Sequence, residues 1–195
     1  MMRRHIPMPR AGFTLTELLI VSGLTLTVSG LMFACAIYLS DFWHLATTRL
    51  ELRLEAQQAV ARMAAELQSA TRTDQGGSPP NLSIPATPAN DRVQFYLPQD
   101  VDGNGLIIDA TGAIEWDQAN PIQYQYVPGL KLLRRLVGGN QTVLANGVTS
   151  VAFSDQSINP ALFVDEVRIQ LTLQRTTPRQ RTVSAGATAI VKLRN

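Results

Sequence analysis

Few residues in this chain are equipped for catalysis. Its 195 residues include two histidines, His5 and His44, and one cysteine, Cys35. One cysteine cannot close an intrachain disulfide, and this set cannot build a zinc site needing several Cys/His ligands from one copy. No G-x-S-x-G, H-E-x-x-H or P-loop pattern occurs. Asp165 and Glu166 are adjacent carboxylates, yet neighbours in a strand point to opposite faces. His44 stands at the edge of an apolar run, where an interfacial aromatic role fits it better than general-base work. No enzyme is predicted. Ion chemistry has one candidate, Asp100-Val-Asp102-Gly-Asn104-Gly105-Leu-Ile107. It sets oxygen ligands at the first, third and fifth positions, a turn glycine at the sixth and an isoleucine at the eighth, as in a calcium-wrapping loop. The twelfth position, where a bidentate glutamate belongs, is Thr111, and Asp109 is the further oxygen at hand. Calcium at Asp100, Asp102, Asn104 and Asp109 is one reading; an Asp/Gly/Asn-rich turn between strands, holding no metal, is the other.

The remaining residue out of place is Glu17. From Leu18 to Ser40 there are 23 consecutive residues without a charge. A helix of that length reaches roughly 34 Å, enough to cross a hydrocarbon core of about 30 Å. It is longer than a secretory signal's apolar region, and no A-x-A-like cut follows it. Tyr38, Phe42 and Trp43 suit the far interface, and Arg3, Arg4 and Arg10 in front place the N-terminus in the cytoplasm. Glu17 either marks the helix N-terminus at headgroup level, where the macrodipole favours an anion, or needs a cation in an apolar setting. No Lys or Arg lies within a helical turn of it. A free α-amino group would serve only if the chain were cut nearby. Ser22-Gly23 and Ser29-Gly30 lie on nearly one face of the same helix, as close helix packing in lipid requires, although glycine is also simply commoner in membrane helices. Cys35 reads as a small buried hydrophobe.

Charge says little more. The chain carries 17 Lys+Arg and 15 Asp+Glu, a net charge of +2. Arg3, Arg4 and Arg10 fall in the first twelve residues, which hold no acid, so the rest has 14 basic against 15 acidic residues. The body thus offers no electrostatic reason for nucleic-acid contact. With 45% hydrophobic residues the chain is not a disordered one.

Beyond the apolar run, Asp41 to Arg72 contains no Gly or Pro. Leu45, Leu52, Ala56, Ala59, Val60, Met63, Leu67 and Ala70 form one stripe of an amphipathic helix over residues 41–73. Residues 74–91, with Gly76, Gly77, Pro79, Pro80, Pro85 and Pro88, read as a linker loop. From residue 92 to 195 the period changes to two. Strands are predicted at 92–97, around Ile122, Tyr124 and Tyr126, at 130–137, at 167–174 and at 182–193, with turns at Pro128-Gly129, Gly138-Gly139-Asn140 and Asn146-Gly147. Short connections make the sheet antiparallel, and the helix stripe and the sheet's apolar face cover each other. The class is α+β: a long N-terminal helix, membrane half plus amphipathic half, packed on an antiparallel β-sheet domain.

A short basic leader, then Gly12-Phe13-Thr14-Leu15-Thr16-Glu17, then an apolar helix resembles the processing signature of type IV prepilins and type II secretion pseudopilins. The stretch Leu54 to Leu67, the order Ile122–Tyr126, Leu133-Arg134-Arg135, Val151-Ala152-Phe153, and the ending Val191–Asn195 are similar to W-type minor pilins and J-type minor pseudopilins. The resemblance implies a pilin-like lollipop with a leader at 1–12 and a transmembrane, filament-core helix at 13–40. It implies cleavage by prepilin peptidase after Gly12 and N-methylation of Phe13. Glu17 would then meet the N-terminal amine of a neighbouring subunit as helices gather into a filament. The implied function is that of a minor pilin or pseudopilin, a non-catalytic structural subunit that helps assemble or prime a type IV pilus or type II secretion pseudopilus. Its partners are other pilin or pseudopilin subunits and the inner (cytoplasmic) membrane, crossed once, with the C-terminal domain outside the cytoplasm. The alternative is a single-pass membrane-anchored β-domain that binds a ligand, with calcium as its one cofactor candidate.

Overall fold

A computed structural model describes residues 14–70, 82–85, 90–112 and 114–193. The leader at 1–12, with Gly12, and Phe13 lie outside the described residues. The chain forms two compact units, Met1–His44 and Leu45–Asn195. One helix, α1 (Leu15–Gln68), supplies the described α-helical residues of both, and a 3-10 turn at Pro128–Leu130 is the other helical segment described.

In the first unit the helix is apolar on every side. Its most apolar window has a mean hydropathy of 2.1 with 0% of the window buried, so by length and composition it can cross a membrane. Leu18, Leu24, Leu31 and Phe33 are all exposed. The hydroxyls inside the run donate to the helix's own carbonyls: Ser22 to Leu19 at 3.0 Å, Thr25 to Val21 at 2.7 Å and Thr27 to Leu24 at 2.8 Å. Hydroxyls bonded in this way leave no donor to be desolvated in hydrocarbon. Cys35, expected as a buried hydrophobe, is exposed.

In the second unit the remaining turns of α1 are amphipathic. Leu52, Ala56, Ala59, Val60, Met63 and Leu67 are buried, the predicted stripe, and Leu45 packs at its margin. After Gln68 the last turn tightens, with Ser69 N–H donating to Glu66 O and Ala70 N–H to Leu67 O.

The expected strands form two antiparallel sheets rather than one. The first holds β1 (Leu82–Ser83), β2 (Arg92–Phe95), β3 (Ile122–Val127), β4 (Leu132–Val137) and β5 (Asn140–Asn146), in that order. β1 falls in the segment read as linker loop and pairs with β2. The second sheet holds β6 (Val148–Ser154), β7 (Glu166–Thr176) and β8 (Thr182–Lys192). Period-two burial runs through β7, where Val167, Ile169, Leu171 and Leu173 point into the core. Both sheets share one hydrophobic cluster with the α1 stripe, including Phe95, Tyr124, Leu133, Phe153 and Ile169. The rings of Phe95 and Tyr124 stand 6.1 Å apart at 31°.

The division into two sheets turns on Gly147. Asn146-Gly147 reads as a hairpin turn, yet β5 and β6 do not pair: the chain passes through Gly147 from one sheet to the other. Gly147 has φ +68°, and its carbonyl accepts from Gln174 N–H at 2.7 Å. A Cβ there would stand 2.5 Å from Gln174 O, a backbone atom with no room to retreat. Gly147→Ala is therefore expected to cost about 2 kcal/mol or more, from positive φ and the contact together. Urea unfolding checks this as a lowered midpoint at unchanged slope.

Polar contacts join α1 to the strands. Arg135 on β4 meets Glu66 at 2.9 Å with both side chains about three-quarters covered. Arg175 on β7 reaches Glu55 at 3.1 Å and Glu51 at 3.5 Å in a more exposed setting, where such pairs contribute little. Burial, and next the Glu66 carboxylate, pushes the Tyr124 phenol well above the ordinary tyrosine range, so it stays neutral. Its buried hydroxyl meets no partner in hydrogen-bond geometry among the described residues.

Candidate functional site

Two places carry polar groups that packing alone does not require. The first is the start of α1. Thr14 N–H donates to Glu17 Oε2 at 3.0 Å and the Thr14 hydroxyl donates to the same oxygen at 2.9 Å. In return Glu17 N–H donates to Thr14 Oγ1 at 3.3 Å. This is a capping box, with Thr14 as the cap residue and Glu17 three positions on. It gives Glu17 a local role at the helix start, and the signal for it, Thr-x-x-Glu before an apolar run, lay in the sequence unread. The carboxylate is nonetheless exposed, and Thr14 engages one of its two oxygens. A carboxylate offers about four acceptor sites, so capacity for a cation remains. Further along the helix a Cβ at Gly23 or Gly30 would meet nothing within 4 Å, leaving that face open for a neighbour.

The second place is the excursion between β2 and β3. Backbone bridges at Pro98–Trp116 and Ile108–Ile114 fold it back on itself. Gln99 N–H donates to Glu115 O at 3.1 Å and Glu115 N–H to Ile107 O at 3.0 Å. This pairing delivers Glu115 to the turn. Ligand oxygens of Asp100, Asp102 and Glu115 come within 4.8 Å of one another, at the edge of an open cavity of about 530 Å³.

Of the four residues proposed as calcium ligands, the structure brings Asp100 and Asp102 together. Asn104 Oδ1 is taken by Leu106 N–H at 2.7 Å, and its amide donates to Asp102 Oδ2 at 2.8 Å. Asp109 Oδ1 accepts from Thr111 N–H at 2.8 Å and from the Thr111 hydroxyl at 2.6 Å. The third carboxylate is Glu115, which sequence reading missed. Its position between Ile114 and Trp116, apolar on both sides, was the available hint of a returning strand.

The loop also holds itself closed. Asp100 Oδ1 accepts from Gly103 N–H at 2.7 Å and Asn104 N–H at 3.1 Å, and Oδ2 from Gly105 N–H at 2.8 Å. Glu115 Oε2 accepts from Val101 N–H at 2.6 Å and Asp102 N–H at 3.3 Å. Gly103 and Gly105, with φ of +77° and +82°, supply the conformation that aims these amides inward. Three acids with free lone pairs fit a hard cation, while the amides neutralise enough charge for the turn to stand by itself.

The Gly105 N–H foremost, then those of Gly103 and Asn104, hold the Asp100 carboxyl below the ordinary aspartate range against the opposing cost of desolvation. A depressed folded pKa contributes stability that is complete above the unfolded value and lost as pH falls through the folded one. The Gly103 and Gly105 amides are therefore expected to keep their hydrogen-bonded NMR shifts through the ordinary aspartate range and to lose them only in more acid solution. Asp100→Asn is expected to remove that acid transition.

Comparison with protein-family models, with curated proteins and with solved structures finds no significant match to this chain.

Proposed function

We propose that the chain is a minor pilin or pseudopilin: a processed, non-catalytic subunit of a type IV pilus or type II secretion pseudopilus. In this reading prepilin peptidase cuts after Gly12 and Phe13 becomes the N-methylated terminus. The apolar half of α1 rests in the inner membrane until other pilin or pseudopilin subunits replace lipid around it. The β domain stays on the far side of the membrane from the peptidase's cytoplasmic face.

The observation that carries the reading is an apolar helix with 0% of its membrane-length window covered by its own chain, headed by an exposed carboxylate at Glu17. Burying that surface in lipid or among like helices yields roughly 1.5–3 kcal/mol per large side chain. Beyond the cap it forms with Thr14, the carboxylate at its head keeps an oxygen for a cation that another molecule supplies. Mass spectrometry of the protein extracted from membranes tests it: an N-methylated Phe13 terminus is expected, and an intact Met1 in filament-competent cells would overturn it.

A second reading, a single-pass membrane-anchored β-domain that binds a ligand with calcium, rests on the Asp100, Asp102 and Glu115 cluster. Isothermal titration of the detergent-solubilised chain is its test. Under this reading heat appears with calcium and is lost in Glu115→Gln; silence at millimolar calcium discards the ion.

A further inference from the structure

Charge is unevenly placed within the second unit. Residues 93–130 hold five acids, Asp100, Asp102, Asp109, Glu115 and Asp117, and neither Lys nor Arg. Residues 167–195 hold six basic residues and no acid. Three of the six, Arg175, Arg179 and Arg181, surround the turn between β7 and β8.

The two charges stand at opposite ends of the unit. Position along α1 follows from its contacts with the strands. Asn146, opposite Leu132, donates its N–H to Glu55 at 3.2 Å, while Arg135, opposite Tyr124, meets Glu66 at 2.9 Å. Glu55 and Glu66 are 11 residues apart, about 16 Å of helix. The acidic excursion leaves from Phe95 and Ile122, past Tyr124 on the side away from Val127 and Leu132. It belongs to the Glu66 end. The basic turn follows Arg175, which meets Glu55 and Glu51 at the other end. Lys131 lies there too, since Val148 N–H donates to its carbonyl beside Gly147. Arg49 and Arg53 are exposed on the same turns of α1.

Each end carries apolar surface beside its charges. Val101 and Leu106 are 64% and 63% exposed, and Ile107 is exposed with them. Leu130, next to Lys131, is 71% exposed. Apolar side chains gathered on one loop and rimmed by polar groups mark a contact surface.

We propose that the acidic excursion of one copy of this chain receives the basic end of a second copy, displaced along α1. The inference rests on the reading of the chain as a filament subunit. The charges name the occupant: the surface that complements Asp100, Asp102 and Glu115 is carried by the same chain, at its opposite end. The open cavity of about 530 Å³ beside the excursion is lined by Asp100, Asp109, Glu115, Trp116 and Asp117. It suits an arginine, whose planar fork pairs with carboxylates and stacks on an indole. Leu130 then covers Leu106 and Ile107.

Two unlike ends on one molecule make a heterologous contact, which repeats without closing. Displacement along α1 keeps the helices of the two copies parallel and in the same sense, so both can enter one membrane from the same side. Copies resting side by side at one level cannot make the contact, because the two surfaces lie at different heights on α1. Copies offset along a filament can. Like ends repel, which fixes the direction of stacking. Exposed ion pairs are individually weak, so this contact selects the neighbour while the apolar helices hold it. Copies of the chain then follow one another in the filament instead of standing singly among other subunits.

The test uses the full chain in filament-forming cells, with Cys35→Ser to remove the native thiol. Two versions are expressed together, one with Leu106→Cys and one with Leu130→Cys, and sheared filaments are treated with a short bismaleimide. A covalent dimer of twice the chain mass is expected from the mixture and not from either version alone. Val143→Cys, half-exposed in the middle of β5, replaces Leu130→Cys as control and is expected to give no dimer. Adding Arg179→Glu and Arg181→Glu to the Leu130→Cys version reverses the charge of the turn. Dimer per incorporated chain is expected to fall at least tenfold. Should the double reversal disturb the turn, Arg181→Gln alone is expected to lower it severalfold at unchanged membrane level. Equal dimer from one version alone, equal yield with Val143→Cys, or a yield indifferent to the arginines would each overturn the proposal. So would absence of dimer from filaments that contain the chain, which leaves the filament reading intact. Absence of the chain itself from the sheared filaments would overturn that reading, and this contact with it.

Discussion

Glu17→Ala is expected, if the chain is the filament subunit proposed above, to abolish its incorporation while leaving its membrane level unchanged. In the proposed assembly the neighbouring amine would be left buried without its counter-charge, and subunit association is expected to fall by roughly a hundredfold or more. Glu17 also has its local role, since it accepts from Thr14 at 3.0 and 2.9 Å. The two roles separate by mutation. Thr14→Ala removes the cap hydroxyl at a cost of about 1 kcal/mol of helix stability but leaves the carboxylate in place. If Glu17 serves only the cap, the two variants fail alike. If it serves a cation from a neighbouring subunit, Glu17→Ala abolishes incorporation and Thr14→Ala reduces it severalfold at most. Immunoblots of sheared filaments against whole membranes measure both.

How much of this was legible beforehand varied with the range of the interaction. The α1 stripe was readable because helical period is local: Leu52, Ala56, Met63 and Leu67 announce their shared face within a few turns. The alternation of β7 was equally plain, since Val167, Ile169, Leu171 and Leu173 each face the core for the same reason. Gly147 misled, because Asn-Gly is the commonest hairpin signal and only Gln174, 27 positions on, makes it a corner between sheets. Glu115 was hidden likewise. It joins Asp100 and Asp102 through a strand-like return that isolated bridges create, and no spacing rule for a continuous loop reaches so far. Thr14 was legible and overlooked, because the charge of Glu17 drew the reading toward a partner elsewhere and away from the hydroxyl three residues back. Local periodicity therefore carried the fold, and the candidate site depended on contacts that local patterns do not encode.

Phe153→Ala is the second large effect, and it separates the two apolar populations of the chain. Phe153 is 0% exposed on β6, the strand whose edge is tied to Asn90 and whose face lies in the common core. Truncating a buried phenylalanine costs about 3–5 kcal/mol, the lost transfer energy plus the cavity left behind. A domain of this kind has about 5–15 kcal/mol in total, so much of its stability goes with one ring. With a urea slope of 1–3 kcal/mol per molar, the midpoint is expected to fall by about 2 M at unchanged slope. Leu24→Ala is the matched opposite. Leu24 is as apolar, but 65% exposed on the first unit, and contributes nothing to the β-domain core. Its removal is expected to leave the urea midpoint of the β domain where it was and to weaken only what surrounds the helix, read as easier detergent extraction or lower filament yield. Equal shifts in midpoint from the two variants would mean that the N-terminal half of α1 is covered by its own chain, and the case for an external partner along that helix would be lost.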